Sequence, residues 1–231
     1  IRGRRPDYSS HKIKIIVHII CIKYMKNFKN IKEIPKKIPV FPLNNCLLLP
    51  KGFLKLNIFE PRYLNMTNDA ISDNRLIGMI QPGSNTEFYN VGCVGKIIHF
   101  TETAENKYLI ELKGICRYNI ISHKIVEKGY IQAEVKYTNF LQDLAIENIN
   151  VNKKKFLGAL KLYFTKQNIN TDWTTIQKAP LDLLIRSIAQ ACPFNSEEKQ
   201  MLLETHDINK LATNMISLFE INSAGETNKI N

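Results

Sequence analysis

No two of the five cysteines, Cys21, Cys46, Cys93, Cys116 and Cys192, form a C-x-x-C pair. The odd, widely scattered set argues against a disulfide framework or a thiolate zinc site. A reducing cytosol suits such a chain, and each cysteine, flanked by apolar residues, reads as a small core side chain rather than a nucleophile. The sequence has no G-x-x-x-x-G-K-S/T, which removes the phosphate-cradling loop of an ATPase, and no G-x-S-x-G elbow to expose a nucleophilic serine. His11, His18, His99, His123 and His206 are scattered without H-E-x-x-H or i,i+4 spacing, so no metal site is expected. Glu102 and Glu105 fall in an expected hairpin loop, where a solvated turn is a simpler reading than an acid/base pair. Long apolar runs are missing too: Ile13 to Ile22 is interrupted by Lys14 and His18 and is too short to cross a bilayer. Neither a cofactor nor a membrane partner is expected, and the chain reads as non-catalytic.

What is present is enough apolar residue, 44% of 231 positions, to bury a sizeable core. The net charge of +11 suggests an anionic partner, but its distribution weakens that suggestion. Residues 1–37 hold eleven Lys and Arg against two acids, leaving twenty-one against nineteen in residues 38–231, so the body is close to neutral. Residues 1–37 therefore read as a basic tail. The first methionine is Met25, and residues 1–24 read as a disordered or non-native extension. A signal peptide is the alternative, weakened by the lack of a small-x-small site before Lys23-Tyr24-Met25-Lys26.

The stretch from Ile38 to Met66, IPVFPLNNCLLLPKGFLKLNIFEPRYLNM, carries the most information. Pro39, Pro42 and Pro50 bracket two apolar runs, predicting short strands with sharp turns. Leu54, Leu56 and Ile58 alternate with Lys55 and Asn57 as a half-buried strand does. Pro61 behind Glu60 predicts a helix start, with the acid at the positive end of the helix dipole. Further strands are predicted at Leu76–Ile80, Val94–Phe100, 108–113, 117–122 and 131–138, with a bulge or bend at Gly114. Short strands at this spacing favour a small closed or partly closed barrel. From about Asp143 the period becomes helical. Phe156, Leu157, Leu160 and Phe164 form one apolar stripe, and Leu184, Ile185, Ile188 and Ala191 another that ends at Pro193. Asn195 and Glu198 have capping-box spacing, and Asp207 precedes a last stripe of Ile208, Leu211, Met215 and Leu218. The fold class is α+β: a β-rich part at 38–140 with one early helix, a C-terminal helical bundle at 141–221, and a disordered end at 222–231.

The 38–66 segment resembles the start of the Lon protease N-terminal domain, especially in bacterial proteins made of that domain alone. The resemblance continues through RLIGMIQP at 75–82, VGCVGKI at 91–97, YLIELKG at 108–114 with Arg117-Tyr118, and the helical half around Leu183, Ala189–Phe194 and Glu198–Glu204. It implies a PUA-like barrel or pseudo-barrel and a role in recognising polypeptides, without the family's ATPase and protease modules.

Unfolded polypeptides differ from folded ones in their exposed apolar side chains, so a receptor for them needs an apolar groove with adaptable edges. Phe53, Met66, Met79, Phe88 and Tyr89, in or beside turns, are the candidate groove residues. Glu60, Pro61, Arg62 and Tyr63 form a corner that either clamps a peptide or, on the favoured reading, fixes the helix start. Lys153 to Lys155 read as a solvated helix face. The expected function is non-catalytic binding of unfolded or tagged polypeptides in the cytoplasm, as a chaperone-like or adaptor module beside a separate ATP-dependent protease. The alternative is RNA or other nucleic acid gripped by the barrel and basic tail, which the near-neutral body argues against.

Overall fold

The computed structural model describes residues 28, 30–83, 87–103 and 107–224. Strands β1 (Lys37–Pro42) and β2 (Phe53–Ile58) are followed by helix α1 (Pro61–Ser72) and strands β3 (Leu76–Ile80), β4 (Val91–Glu102), β5 (Tyr108–Ile125) and β6 (Ile131–Lys136). Helices α2 (Lys153–Lys166), α3 (Trp173–Lys178), α4 (Leu181–Ala191), α5 (Ser196–Glu204) and α6 (Ile208–Ala224) complete the order. Strand β1 runs parallel to β3 and antiparallel to β6, β3 pairs with β4, β4 with β5, and β5 returns to β6. Those pairings close a five-strand pseudo-barrel, and β2 lies outside the ring on the first half of β5. The mixed α+β class with a strand-built half and a helical half is therefore as the sequence implied.

Gly114 lies just past the β2-paired stretch of β5, on the strand that also pairs with β4 and then β6. The ladder with β4 shifts register between Val94 and Gly95, opposite Gly114–Cys116, which is the bulge expected there. A Cβ on Gly114 would lie 2.0 Å from the Leu49 carbonyl oxygen. The 49–52 loop docks on this bare backbone: Lys51 N–H donates to the Gly114 carbonyl (2.8 Å) and Gly114 N–H to the Gly52 carbonyl (2.9 Å). Only β1 forms in the region where two short strands were expected. Leu47, Leu48 and Leu49 are buried without pairing as a strand, because Pro50 offers no donor and Asn45 and Lys51 have positive φ of 56° and 63°.

In the helical half, α2 and α6 pack through Phe156, Tyr163 and Phe219, whose Tyr163 and Phe219 rings are 5.0 Å apart, and Phe194, between α4 and α5, packs on both of those rings. The capping box at Asn195 and Glu198 is formed, and the Asp207 carboxylate accepts from Asn209 and Lys210 N–H at the start of α6. Helix α3, absent from the sequence reading, is capped by Asp172. Lys153 is not simply solvated, since its Nζ donates to the Gln177 and Ala179 carbonyls at the end of α3.

Buried side chains run as one cluster from Ile34 to Phe219 through both halves. The basic tail was expected to reach residue 37, yet Ile34 is buried and the Tyr137 hydroxyl donates to the Pro35 carbonyl at 2.8 Å. Residues 1–27, including Cys21 and the 13–22 run, lie outside the described residues, as does Glu105. Helix α6 runs to Ala224, past the position 222 at which a disordered end was expected, and residues 225–231 are likewise outside the description.

Candidate polypeptide-binding site

The seam between pseudo-barrel and bundle is fixed by Arg117 on β5, only 4% exposed. Its guanidinium faces Asp143 in a two-pronged pair, with Nη2 2.6 Å from Oδ1 and Nε 3.0 Å from Oδ2. The remaining donors reach the Leu203, Thr205 and His206 carbonyls at the end of α5, where a cation meets the negative end of the helix. Gln200 extends the joint: its side chain accepts from Gln81 at 3.1 Å and donates to the Val91 carbonyl and to Glu204 at 3.1 and 2.7 Å. Lys199, also buried, donates to the Asn45 carbonyl at 2.6 Å, and desolvation holds its ammonium below the usual lysine range.

These ties hold α5 beside the loop that joins β3 to β4. Tyr89 N–H donates to the Gln81 carbonyl at 3.0 Å, so Tyr89 is returned to the foot of β4. Between Tyr89 and helices α5 and α6 lies a wide, open hollow of about 700 Å³, lined by Tyr89, Met201, Glu197, Glu204, His206 and Lys210 among others. Met201 is 39% exposed and Tyr89 half-buried, an apolar and adaptable pair of the kind a promiscuous binding surface uses. A second cavity of about 190 Å³ lies under residues 145–148. Its charged groups are already paired with one another, Arg186 with Glu147 and Arg117 with Asp143, so it offers a ligand little.

Of the five residues expected to line a groove, the hollow takes in Tyr89 alone. Met66 and Met79 are core, at 0% and 3% exposure: Met66 lies on the inner face of α1, and Met79 in the centre of β3, whose five residues are all buried. Their place beside turns says nothing of which way the chain faces. Phe88 stands edge-on to His123, with ring centroids 5.1 Å apart, and Phe53 is half-buried at the start of β2, its carbonyl accepting from Gln190. At the corner, Pro61 opens α1, and Glu60 precedes it without a side-chain cap. The Glu60 carboxylate instead pairs with Arg62 at 2.7 Å, and Arg62 covers the Tyr63 ring, which packs on Phe41. Of the four, Tyr63 packs α1 on the barrel, and all four lie outside the hollow. The sequence reading missed Met201 and the carboxylates on either side of it. The signal was there: Met201 falls off the buried Leu202–Leu203 side of its helix.

The described thiols are poorly suited to nucleophilic chemistry. Burial pushes Cys46 up to about 11 and Cys116 and Cys192 up to about 12, and holds Cys93 well above the usual thiol range, so all four stay protonated near neutrality. Among the described residues no three His, Cys, Asp or Glu side chains could share a metal ion, and no helix is long and apolar enough to cross a membrane.

The fold is thus a strand-built pseudo-barrel locked to a helical bundle, with an open hollow along the joint. The chain belongs to the family of the ATP-dependent protease La (LON) substrate-binding domain, which it matches over residues 37–220. It is 25% identical over 191 residues to Lon protease 2 of Myxococcus xanthus, covering 78% of this chain and 23% of that protein. It is 28% identical over 193 residues to the Lon protease of Syntrophus aciditrophicus, covering 76% and 24%. The chain thus spans about a quarter of these relatives' length. In fold it is similar to the Lon N-terminal domain protein of Xanthomonas campestris, with a TM-score of 0.55, 18% identity, and coverage of 79% of this chain and 98% of that one. The N-terminal domain of the Mycobacterium avium complex Lon protease gives a TM-score of 0.54 at 13% identity, covering 80% and 98%.

Proposed function

We propose that this chain binds exposed segments of unfolded or tagged polypeptides without altering them chemically. It acts as a chaperone-like or adaptor module in the cytoplasm, beside a separate ATP-dependent protease. Membership of a substrate-binding family gives the class of ligand, and the observation that carries the reading is the Tyr89–Met201 hollow at the rigid joint. An apolar side chain of the ligand sits over Met201 against the Tyr89 ring, and backbone polar groups on either side remain solvated or bond the polar rim. The two halves are already locked by Arg117, so little ordering cost is added when a segment docks.

The test is retention of a reduced, permanently unfolded polypeptide on the immobilised full chain. Retention that survives high salt and falls about tenfold or more in Met201→Glu supports the reading, since an apolar anchor is being lost. Retention unchanged in Met201→Glu contradicts it. One observation favours a second reading, nucleic-acid binding. Helix α2 carries Lys153, Lys154, Lys155, Lys161 and Lys166 with no acid, and all but Lys153 are exposed. Binding of a single-stranded RNA that falls steeply with salt, with no retention of unfolded polypeptide, would establish that reading in its place.

A further inference from the structure

On α5, Glu197, Met201 and Glu204 are spaced i, i+4 and i+7, so they lie on one side of the helix and all three line the hollow. The stripe is acid, apolar, acid, and its two carboxylates stand about 10 Å apart along the helix axis. All three side chains are exposed. Glu204 is steadied by Gln200, whose amide is itself held by the barrel, and among the described residues neither Glu197 nor Glu204 pairs with a lysine or arginine.

Opposite charge on the same rim is limited to Lys210 and, when protonated, His206, which lies 3.5 Å from Asp207. Residues 196–224 hold five carboxylates, Glu197, Glu198, Glu204, Asp207 and Glu220, against two lysines, and Lys199 is buried on the Asn45 carbonyl. Helix α2 has the opposite composition, five lysines and no acid, and none of its residues lines the hollow.

We propose that the hollow selects polypeptide segments in which an apolar side chain is flanked by lysine or arginine. This rests on the hollow being the polypeptide site. In an extended segment, residues i−2, i and i+2 share a face and place flanking cations about 13 Å apart, a span that long basic side chains adjust to the two carboxylates. The apolar residue covers Met201, and the cations meet Glu197 and Glu204 at the rim, where partial exposure keeps each pair modest but sets preference and approach. A segment with acids at those positions meets like charge at both ends.

The experiment uses the full chain and three fluorescein-labelled 13-residue peptides with a central leucine and lysine, serine or aspartate at the two flanking positions, read by fluorescence anisotropy. The lysine peptide is expected to bind about tenfold tighter than the aspartate peptide at low salt, with the gap closing as salt rises. The double variant Glu197→Lys/Glu204→Lys should reverse the order, while Met201→Glu weakens the serine peptide as well. Equal affinities, or an order unchanged by the double charge reversal, would overturn the selectivity while leaving polypeptide binding intact. If none of the peptides binds, both the selectivity and the site it rests on are overturned.

Discussion

Arg117 commits every donor of its guanidinium to partners distant in sequence: Asp143, and three carbonyls at Leu203, Thr205 and His206. At 4% exposure, removing it leaves a buried carboxylate without its counter-charge and the end of α5 without donors. Arg117→Met is expected to cost about 3–5 kcal/mol in urea unfolding, and Arg117→Met/Asp143→Leu less than that, because no isolated charge then remains. A double variant as unstable as the single one would show that the carbonyl contacts, not the ion pair, carry the joint. The Arg117-Tyr118 dipeptide was visible in the sequence, but its role was not. No spacing rule connects it to partners 26 and 86 to 89 positions away. The thiols give a second check at this scale. Burial encloses Cys93, Cys116 and Cys192, so at pH 8 a maleimide reagent should leave these three unmodified in native protein and label them after denaturation, read by peptide mass spectrometry.

Helices and strands in this chain begin and end where single residues dictate, and two glycines show opposite consequences of one methyl group. Gly114→Ala would press a Cβ into the Leu49 carbonyl, and a loss of about 3 kcal/mol is expected. Gly158 sits in exposed helix α2 with nothing within 4 Å of a built Cβ, so Gly158→Ala should stabilise by about 0.5–1 kcal/mol. Thermal unfolding of the two variants reads both signs. At the start of α3, hydrogen bonds from Thr175 and then Thr174 hold the Asp172 carboxyl down at about 2, against 3.8 when unfolded. A lowered folded value means the contribution is complete above about pH 4 and is lost as pH falls toward 2. The stability difference between native protein and Asp172→Asn should therefore shrink over that interval in urea titrations. A constant difference would assign the cap to geometry alone. Helix starts at Pro61, Asn195 and Asp207 were legible because capping and proline chemistry are local. Helix α3 was not, since six residues are too few to show a period, and Leu47–Leu49 imitated a strand because burial without pairing leaves the same apolar signature.

At the scale of the whole molecule, two halves share one core and one joint, and the hollow joins Tyr89 of one half to α5 and α6 of the other. That is why the site was the least legible feature. Tyr89 could be named from its place beside a turn, but Met201 acquires meaning only when α5 is laid against the foot of β4. The same blindness placed Met66 and Met79 on a surface that the packing of α1 and β3 denies them. The basic excess of the full chain misleads as well, since residues 1–37 carry +9 of the +11, while residues 196–224 hold more acids than lysines. The most direct measurement of the central claim is the affinity of an unfolded polypeptide for native chain and for Met201→Glu, with thermal unfolding of both proteins recorded alongside. A loss of about tenfold or more at an unchanged unfolding temperature is expected; equal affinities at equal stability would contradict polypeptide binding over Met201.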